Sequence, residues 1–363
     1  MINRKFLAPL LTGIMTVGLL AGCSANKANN AVNSEESSPT ATAQAAEQVV
    51  NVYSARSYDV DALLYEKFTT ETGIKVNIID GKAEELIERL KREGESSQAD
   101  LFLTVDGGVL NNAKQAGLLQ PVTSDIIDQN VPKELRDPEN EWIGLSTRAR
   151  VIVYSKDRIK PEQLSTYEDL ISPAWKGKIL VRPSSSLYNQ SLLSSFIELN
   201  GEAKAEEWSK GLVENLARTP EGNDRDQAKA IVAGVGDVAL MNTYYVGLLL
   251  NSDDPEEVKV GQSVGVFFPN QETTGTHVNI SGVGLTKNSK NKENALKLIE
   301  FLTGKEAQTM VTNENYEFPV NAAAELPELL KSWGTFKAQK IDFNTLGIHN
   351  AKAIEIMNKT GWK

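Results

Sequence analysis

Short apolar segments of strand character alternate with longer segments of helical periodicity from residue 49 onward. One helix is predicted where Leu63, Leu64 and Phe68 share a helical spacing behind an acidic first turn. The first part of this pattern predicts strands at 49–53, 74–79 and 100–105 and helices at 59–72, 83–94 and 110–118. Strands joined through helices in this order run parallel in one sheet, so the sequence predicts an α/β fold with helices covering a parallel sheet.

The alternation continues through the rest of the chain. Residues 143–154 begin as one strand and restart as another across Arg148-Ala149-Arg150. Further strands are predicted at 178–181, 237–241, 264–268 and 278–285, the last two as a pair, and further helices at 187–199, 204–216, 225–232 and 291–303. A body of about 315 residues is long enough for two lobes.

One glycine-rich segment matches the pattern of a dinucleotide site but not its setting. Gly234, Gly236 and Ala239 fit GxGxxA, yet they follow a predicted helix and precede a strand. A dinucleotide site needs its glycines after a strand and at the start of a helix, so Gly234 is predicted to end a helix instead. The sequence contains no P-loop, CxxC, HExxH or GxSxG motif. The formal charge of −10 argues against nucleic acid as a partner.

The N-terminus has the features of a secretory signal. Arg4 and Lys5 precede an apolar run over residues 6–20, which is short for a membrane span and interrupted by glycines. Leu20-Ala21-Gly22-Cys23 follows, and it resembles the lipobox of bacterial lipoproteins, in which the signal is removed and the cysteine carries a diacylglycerol. We therefore expect a signal peptide over residues 1–22 and lipidation of Cys23, the only cysteine. The alternative is an ordinary signal peptide with an incidental cysteine.

Residues 23–48 would then be the lipidated cysteine and the segment that joins it to the folded body. This segment is rich in Ala, Asn, Ser, Thr and Glu, and it lacks the large apolar side chains that would offset the entropy of ordering it. We expect a flexible tether with a reach of roughly 25–30 Å. The body would therefore work in the periplasm, just above a membrane.

The chemically distinctive side chains are tyrosines at the ends of predicted strands. Tyr58 follows the first strand, Tyr188 precedes a helix, and adjacent Tyr244 and Tyr245 follow the strand at 237–241. Ligands of open parallel sheets bind in such loops, beyond the carboxyl ends of the strands. The alternative is that each ring packs and its hydroxyl bonds water or backbone. That alternative is weaker for Tyr244 and Tyr245, because neighbours on a strand end point to different sides and two buried hydroxyls need two partners.

A cluster of tyrosines favours a hard, highly charged cation. Free tyrosine has a pKa of about 10, so only a strong Lewis acid holds several phenolates near neutrality. The chain has only two histidines, His277 and His349, so a histidine-based metal site or a Ser-His-Asp apparatus has little to build with. Ferric iron fits this set of donors better than zinc or copper does.

Several segments resemble the ferric-binding proteins of bacterial ABC importers, most closely the FutA type of cyanobacteria. They are Tyr53-Ser54-Ala55-Arg56-Ser57-Tyr58, Asp80-Gly81-Lys82-Ala83-Glu84-Glu85-Leu86, Ser146-Thr147-Arg148-Ala149-Arg150-Val151, Ser184-Ser185-Ser186-Leu187-Tyr188, Asn242-Thr243-Tyr244-Tyr245 and Gly275-Thr276-His277-Val278-Asn279-Ile280-Ser281-Gly282. The resemblance covers the body from Val49 to the C-terminus. It implies that Tyr58, Tyr188, Tyr244 and Tyr245 bind iron from both lobes of a type II periplasmic-binding-protein fold.

The resemblance also implies supporting residues around the tyrosines. FutA-type proteins often have a histidine ligand where this chain has Ser57, so the fifth iron ligand is expected to be water or absent. Arg148 is expected to offset the negative charge of the phenolates by a hydrogen bond, although it could instead form a surface or inter-lobe salt bridge. Arg56 and Arg150 have weaker claims to this role. The serines 184–186 are expected to cap the following helix and aim Tyr188, or else to bind an anion.

The sequence therefore predicts a monomeric, non-enzymatic binding protein that captures ferric iron between two lobes and delivers it to an inner-membrane ABC permease. Lobe one is expected at 49–147 plus 269–303 and lobe two at 148–268 plus 304–363, with hinge strands near Arg148 and Pro269. The alternatives are a binding protein of the same fold for a polyamine, thiamine or an oxyanion, and an extracytoplasmic hydrolase. The hydrolase is disfavoured because the chain shows no constellation of nucleophile and base.

Overall fold

The computed structural model describes residues 48–363, so the expected signal peptide, Cys23 and nearly all of the tether lie outside the described residues. The described part forms one compact unit. Its strands are β1 (Val49–Ser54), β2 (Lys75–Asp80), β3 (Leu101–Thr104), β4 (Leu119–Gln120), β5 (Ile143–Ser155), β6 (Ile179–Leu180), β7 (Val238–Asn242), β8 (Val264–Phe267), β9 (Val278–Thr286) and β10 (Phe318–Pro319).

Helices occupy most of the chain between these strands. They are α1 (Asp59–Thr72), α2 (Ala83–Glu93), α3 (Gly107–Gln115), α4 (Asp125–Asn130), α5 (Leu187–Asn200), α6 (Glu202–Glu214), α7 (Asp224–Val232), α8 (Thr243–Leu250), α9 (Pro255–Ser263), α10 (Lys292–Thr303), α11 (Lys305–Asn315), α12 (Glu328–Ser332), α13 (Asn344–Ile348) and α14 (Asn350–Thr360). Within this described part, no helix combines the length and the apolar character that crossing a membrane requires.

The sheet is mixed, not wholly parallel as the sequence predicted. Its strand order is β2-β1-β3-β9-β5-β7-β6, with β4 added beside β9 and both β8 and β10 beside β5. The pairs β1–β2, β1–β3 and β6–β7 are parallel, as expected for strands joined through helices. The pairs that include β9 or β5 are antiparallel. The prediction was wrong here because β9 enters beside β3 from a distant part of the chain, and local alternation does not reveal its direction.

Strand β5 changes its partners along its length. Its first part, through Ala149, pairs with β9, and its last part, from Arg150, pairs with β7 and β8. The predicted restart at Arg148–Arg150 is therefore a change of neighbours inside one continuous strand. The predicted pairing of 264–268 with 278–285 is wrong, because β8 and β9 each pair with β5 instead.

Local signals placed several helix ends correctly. Helix α1 has the predicted bounds, and Gly73 follows it with φ of 72°, a conformation that glycine adopts without steric cost. Gly234 follows α7 with φ of 76°, which confirms that it ends a helix and does not open a dinucleotide site.

The last part of the chain packs partly on elements assigned to lobe one and partly on elements assigned to lobe two. Helix α11 packs on α1 and α10, and β10 pairs with the first part of β5. Helix α14, in contrast, packs on α5 and α6. The segment that contains α11 and β10 therefore lies with the strands assigned to lobe one, although the sequence analysis had placed all of 304–363 in lobe two.

Candidate functional site

The four tyrosines singled out in the sequence stand where a strand gives way to a helix. Tyr58 lies between β1 and α1, in the position that precedes the first helical residue. Tyr188 is the second residue of α5, which follows β6. Tyr244 and Tyr245 are the second and third residues of α8, which follows β7 without a loop. These are the carboxyl ends of parallel strands, where the side chains of a ligand site are expected to converge.

Tyr244 and Tyr245 are helical, so the argument that strand neighbours point to different sides does not apply to them. Successive residues of an α-helix are rotated by about 100°, which lets two neighbours face the same region. Their rings are 4.3 Å apart, centroid to centroid, at an angle of 30°. Helix α8 was not predicted from the sequence, because its apolar segment has no polar face from which a helical period could be recognised.

Three of the four hydroxyl groups form a short hydrogen-bonded chain. The Tyr58 hydroxyl donates to the Tyr244 oxygen at 3.2 Å, and the Tyr188 and Tyr244 oxygens are 3.1 Å apart. The Tyr58 ring also meets the Tyr244 ring edge to face, with 5.8 Å between centroids. Tyr244 is fully buried and central to the group. We call Tyr58, Tyr188, Tyr244 and Tyr245 the tyrosine cluster.

Burial keeps Tyr58, Tyr244 and Tyr245 protonated when no cation is present. Desolvation raises the pKa of Tyr58 and of Tyr244 well above the ordinary tyrosine value, and repulsion from a neighbouring phenolate at Tyr188 adds to this rise. Burial also raises the pKa of Tyr245, while hydrogen bonding with Tyr244 and the charge of Arg182 oppose the rise. Ionisation of these three tyrosines near neutrality therefore requires a compensating positive charge of high density.

Four arginines surround the tyrosine cluster. The Arg56 guanidinium carbon is 4.6 Å from the Tyr58 ring centroid. The corresponding distances to the Tyr188 ring are 5.5 Å for Arg148, 5.8 Å for Arg150 and 5.0 Å for Arg182. Arg56, Arg148 and Arg150 were considered from the sequence as residues that offset the phenolate charge, whereas Arg182 was not. Its only available signal was its position directly before Pro183, at the end of a predicted strand.

Arg148 is buried, and its positive charge is not paired with a carboxylate of the described residues. One terminal nitrogen donates to the Val105 carbonyl, and the other has no hydrogen-bond partner among residues 48–363. Arg148 has no carboxylate partner within this part of the chain, so the alternative of an inter-lobe salt bridge is not found there. Ser57, by contrast, is exposed and its hydroxyl donates to Asp80 at 3.2 Å.

Arg56 and Arg150 are held by carboxylates and amides. Arg56 pairs with Asp61 at 2.9 Å and with the fully buried Glu317 at 2.8 Å. Arg150 donates to Asn189 at 2.7 Å and lies 3.4 Å from Asp224. These contacts compensate both charges, so the two arginines mainly fix the segments that carry Tyr58 and Tyr188.

The other donors that the sequence offered do not join the tyrosine cluster. His277 is buried with Nδ1 3.1 Å from the Gln339 side-chain oxygen, and burial, supported by the charges of Arg150 and Arg148, lowers its pKa to about 3. His349 lies 2.8 Å from Glu198.

Ser186 precedes α5 without capping it, so the expected serine cap is wrong, and its buried hydroxyl has no partner in the described range. Residues 48–363 also contain no group of three or more His, Cys, Asp or Glu side chains suited to a metal.

Comparisons with known proteins agree with this architecture. Residues 96–344 match the family model described as "Bacterial extracellular solute-binding protein". The chain is 50% identical to "Iron uptake protein A1" of Synechocystis over 325 residues, which is 90% of each protein. It is similar to the structure of Trichodesmium FutA in complex with iron and citrate, with a TM-score of 0.83, 50% identity, and coverage of 87% of this chain and all of that one.

A further similar structure is the ferric binding protein from Campylobacter jejuni, with a TM-score of 0.83, 44% identity, and coverage of 86% of this chain and all of that one. These matches confirm the predicted fold, a periplasmic solute-binding fold of mixed α/β content. Proteins of this kind bind solutes and are not enzymes. The chain belongs to the bacterial extracellular solute-binding proteins and, within them, to the FutA-type group.

Proposed function

We propose that this protein is the substrate-binding component of an ABC importer and that it captures ferric iron through the phenolates of Tyr58, Tyr188, Tyr244 and Tyr245. The observation that carries the proposal is the convergence of the tyrosine cluster, in which two hydroxyls lie within 3.2 Å of a third. The names of the relatives, which refer to iron uptake and ferric iron binding, support it.

The chemistry of the cluster favours a trivalent ion. Burial opposes ionisation of Tyr58 and Tyr244 by raising the pKa of both, so a weakly charged ion could not displace their protons near neutrality. Ferric iron is a hard, highly charged Lewis acid and prefers anionic oxygen ligands. Each bound phenolate would then replace a water of the hydrated ion.

We propose that Arg148 supports the ligated state as a hydrogen-bond donor and a positive charge. Its terminal nitrogen without a partner in the described part of the chain lies on a guanidinium 5.5 Å from the Tyr188 ring centroid. Ser57 supports an open fifth position, because its exposed hydroxyl is turned to Asp80. The fifth ligand would come from solvent, or the position would stay vacant.

Capture would proceed by closure of two lobes around the ion, followed by docking on the permease. The change of partners along β5 at Arg148–Arg150 supports a hinge there. The packing of α11 and β10 and the hydrogen bonds of Val320 to Gln308 and of Glu325 to Thr309 support lobe one at 49–147, 269–303 and 304–325, and lobe two at 148–268 and 326–363. Tyr58 would then come from lobe one, and the other three tyrosines from lobe two.

The first prediction concerns colour. The purified folded body should turn orange to red when ferric iron is added from a chelate, because phenolate-to-iron charge transfer absorbs visible light. One iron per chain should be found by elemental analysis after gel filtration. A colourless protein that carries no iron through the column would contradict the assignment.

The same experiment distinguishes iron from other solutes that a binding protein of this fold could take. A polyamine is disfavoured because Arg148 and Arg182, which lie beside the tyrosine cluster and have nitrogens without a hydrogen-bond partner in the described residues, would repel a polycation. An oxyanion is compatible with these arginines, but it would produce no visible absorption and would not require ionised tyrosines. Binding of an oxyanion in the absence of iron, without colour on adding iron, would favour that alternative.

We also propose that Cys23 carries a lipid that anchors the protein on the periplasmic side of a membrane. The support is the Leu20-Ala21-Gly22-Cys23 sequence at the end of an apolar signal-like run. In the producing cell, Cys23→Ala should move the protein from the membrane fraction to the soluble fraction, while the melting temperature of the body stays unchanged. The matched control is Ser24→Ala, which should remain in the membrane fraction. Retention of the Cys23 variant in the detergent phase of a partition experiment would rule out lipidation.

A further inference from the structure

Arg182 lies beside the tyrosine cluster with incomplete compensation of its charge. Its guanidinium carbon is 5.0 Å from the Tyr188 ring centroid, closer than that of Arg148 or Arg150. The side chain is 20% exposed, and two of its nitrogens, Nε and Nη1, are buried without a hydrogen-bond partner among residues 48–363. A buried guanidinium with unused donors is costly unless another group takes them up.

Asp224 stands behind this arginine as a buried counter-charge. It is the first residue of α7 and is fully buried. Its Oδ2 accepts from the Asn242 backbone nitrogen at 3.2 Å and from Arg150 at 3.4 Å. Its Oδ1 is 3.9 Å from Arg182 Nη1, which is too far for a hydrogen bond. One carboxylate is thus shared by two arginines, and Arg182 has the looser contact.

We propose that Arg182, backed by Asp224, is a charge-setting residue of the tyrosine cluster that strengthens iron binding and governs which oxidation state of iron is retained. This inference rests on the proposed function and goes beyond it. The guanidinium faces Tyr188 with donors that other described residues leave unused, so it can respond to charge on the phenolates. Asp224 limits that response, because it already attracts the same guanidinium.

The effect follows from the charge of the site before and after capture. Four neutral hydroxyls become four phenolates, so binding a trivalent ion changes the charge of the site by minus one and binding a divalent ion changes it by minus two. A fixed positive charge nearby stabilises both products, and the divalent one about twice as strongly. Removal of Arg182 should therefore weaken ferric binding and weaken ferrous binding about twice as strongly, so that reduction of the bound iron becomes less favourable.

The experiment compares Arg182→Met, Arg182→Lys and a matched control, Arg218→Met, in the full folded body. Arg218 is 25% exposed, pairs with Glu221 at 2.7 Å and also has a buried Nε without a hydrogen-bond partner in the described chain, so it resembles Arg182 apart from its place. Ferric affinity is measured by competition with nitrilotriacetate, and the reduction midpoint of bound iron by mediated titration.

Arg182→Met should lower ferric affinity about tenfold, shift the charge-transfer band to longer wavelength and make the reduction midpoint more negative. Arg182→Lys should recover most of the affinity, and Arg218→Met should match the wild type. Asp224→Asn should shift the midpoint in the opposite direction, toward more positive values, because it removes a negative charge.

A purely structural role gives a different pattern. Affinity would then fall in both the Arg182 and Asp224 variants while the band and the midpoint stayed at their wild-type values, and this outcome overturns the inference. Wild-type affinity in Arg182→Met also overturns it. Failure of the proposed function is distinguished from failure of this inference, because the wild type itself would then bind no iron in the same titration. If Asp224→Asn does not fold, the comparison of Arg182→Met with Arg182→Lys still decides.

Discussion

Tyr244→Phe is expected to lower ferric-iron affinity by more than about 100-fold, because even residues one step removed from a metal cost roughly 10–100-fold when they are changed. The Tyr244 hydroxyl is the common member of the hydrogen-bonded chain, within 3.2 Å of the Tyr58 oxygen and 3.1 Å of the Tyr188 oxygen. The substitution keeps the ring and removes only this oxygen. The charge-transfer band should fade or shift with it.

The metal-free protein should also be affected, though modestly. A ligand hydroxyl without hydrogen bonds in the metal-free protein could be removed with almost no change in the melting temperature. Since the Tyr244 hydroxyl joins two others in the structure, its loss should destabilise the metal-free protein by about 1 kcal/mol for each hydrogen bond. A small apo effect is therefore compatible with a ligand, and the iron-dependent part of the stability becomes the decisive measurement.

The iron-dependent part of the stability is measured by melting each variant with and without one equivalent of ferric iron. Iron should raise the melting temperature of the wild type far more than that of Tyr244→Phe or Tyr245→Phe, because stabilisation by a ligand depends on its affinity for the native state. Tyr154→Phe on β5 is the control, a half-buried tyrosine outside the cluster that should behave as the wild type. Equal iron-induced stabilisation in all four proteins would remove Tyr244 and Tyr245 from the site.

Local sequence patterns accounted for much of the fold. Helix α1 was predicted residue for residue from its acidic first turn and the helical spacing of its apolar residues. The position at which β5 changes partners was also visible, as a break around Arg148-Ala149-Arg150. The direction of β9 could not be predicted, because strand pairing across the sheet depends on contacts between residues far apart in the chain.

The candidate site, too, could be predicted from the sequence only in part. The tyrosines could be selected because they follow predicted strands, where ligand loops of an α/β sheet lie. The contact between Arg182 and Asp224 could not, since neither residue stands in a recognisable motif and their proximity arises only when β6 and α7 pack together. Helix α8 was missed because it is apolar almost all round, so Tyr244 and Tyr245 were assigned the wrong local geometry.

Iron binding is expected to depend steeply on pH, with the metal-free and iron-bound proteins responding in opposite directions. In the metal-free protein, burial raises the pKa of Tyr58 and Tyr244, so the native state holds these protons more tightly than the unfolded chain does. The resulting contribution to stability is fully present below the unfolded tyrosine pKa of about 10 and is lost as the pH rises above it. Iron capture requires loss of the same protons, so acid must favour release.

The number of protons released on binding tests this directly. If four phenolates bind one ferric ion, capture at neutral pH should release about four protons, and affinity should change by up to about four powers of ten per pH unit. Calorimetric titration of iron from a buffered chelate, in buffers with different ionisation enthalpies, gives that number once the chelate's own protons are subtracted. Tyr245→Phe should release about one proton fewer than the wild type, and Tyr154→Phe the same number. Tight binding with no proton release would mean that the tyrosines do not bind the ion as phenolates, because each protonated hydroxyl must lose its proton to become a phenolate.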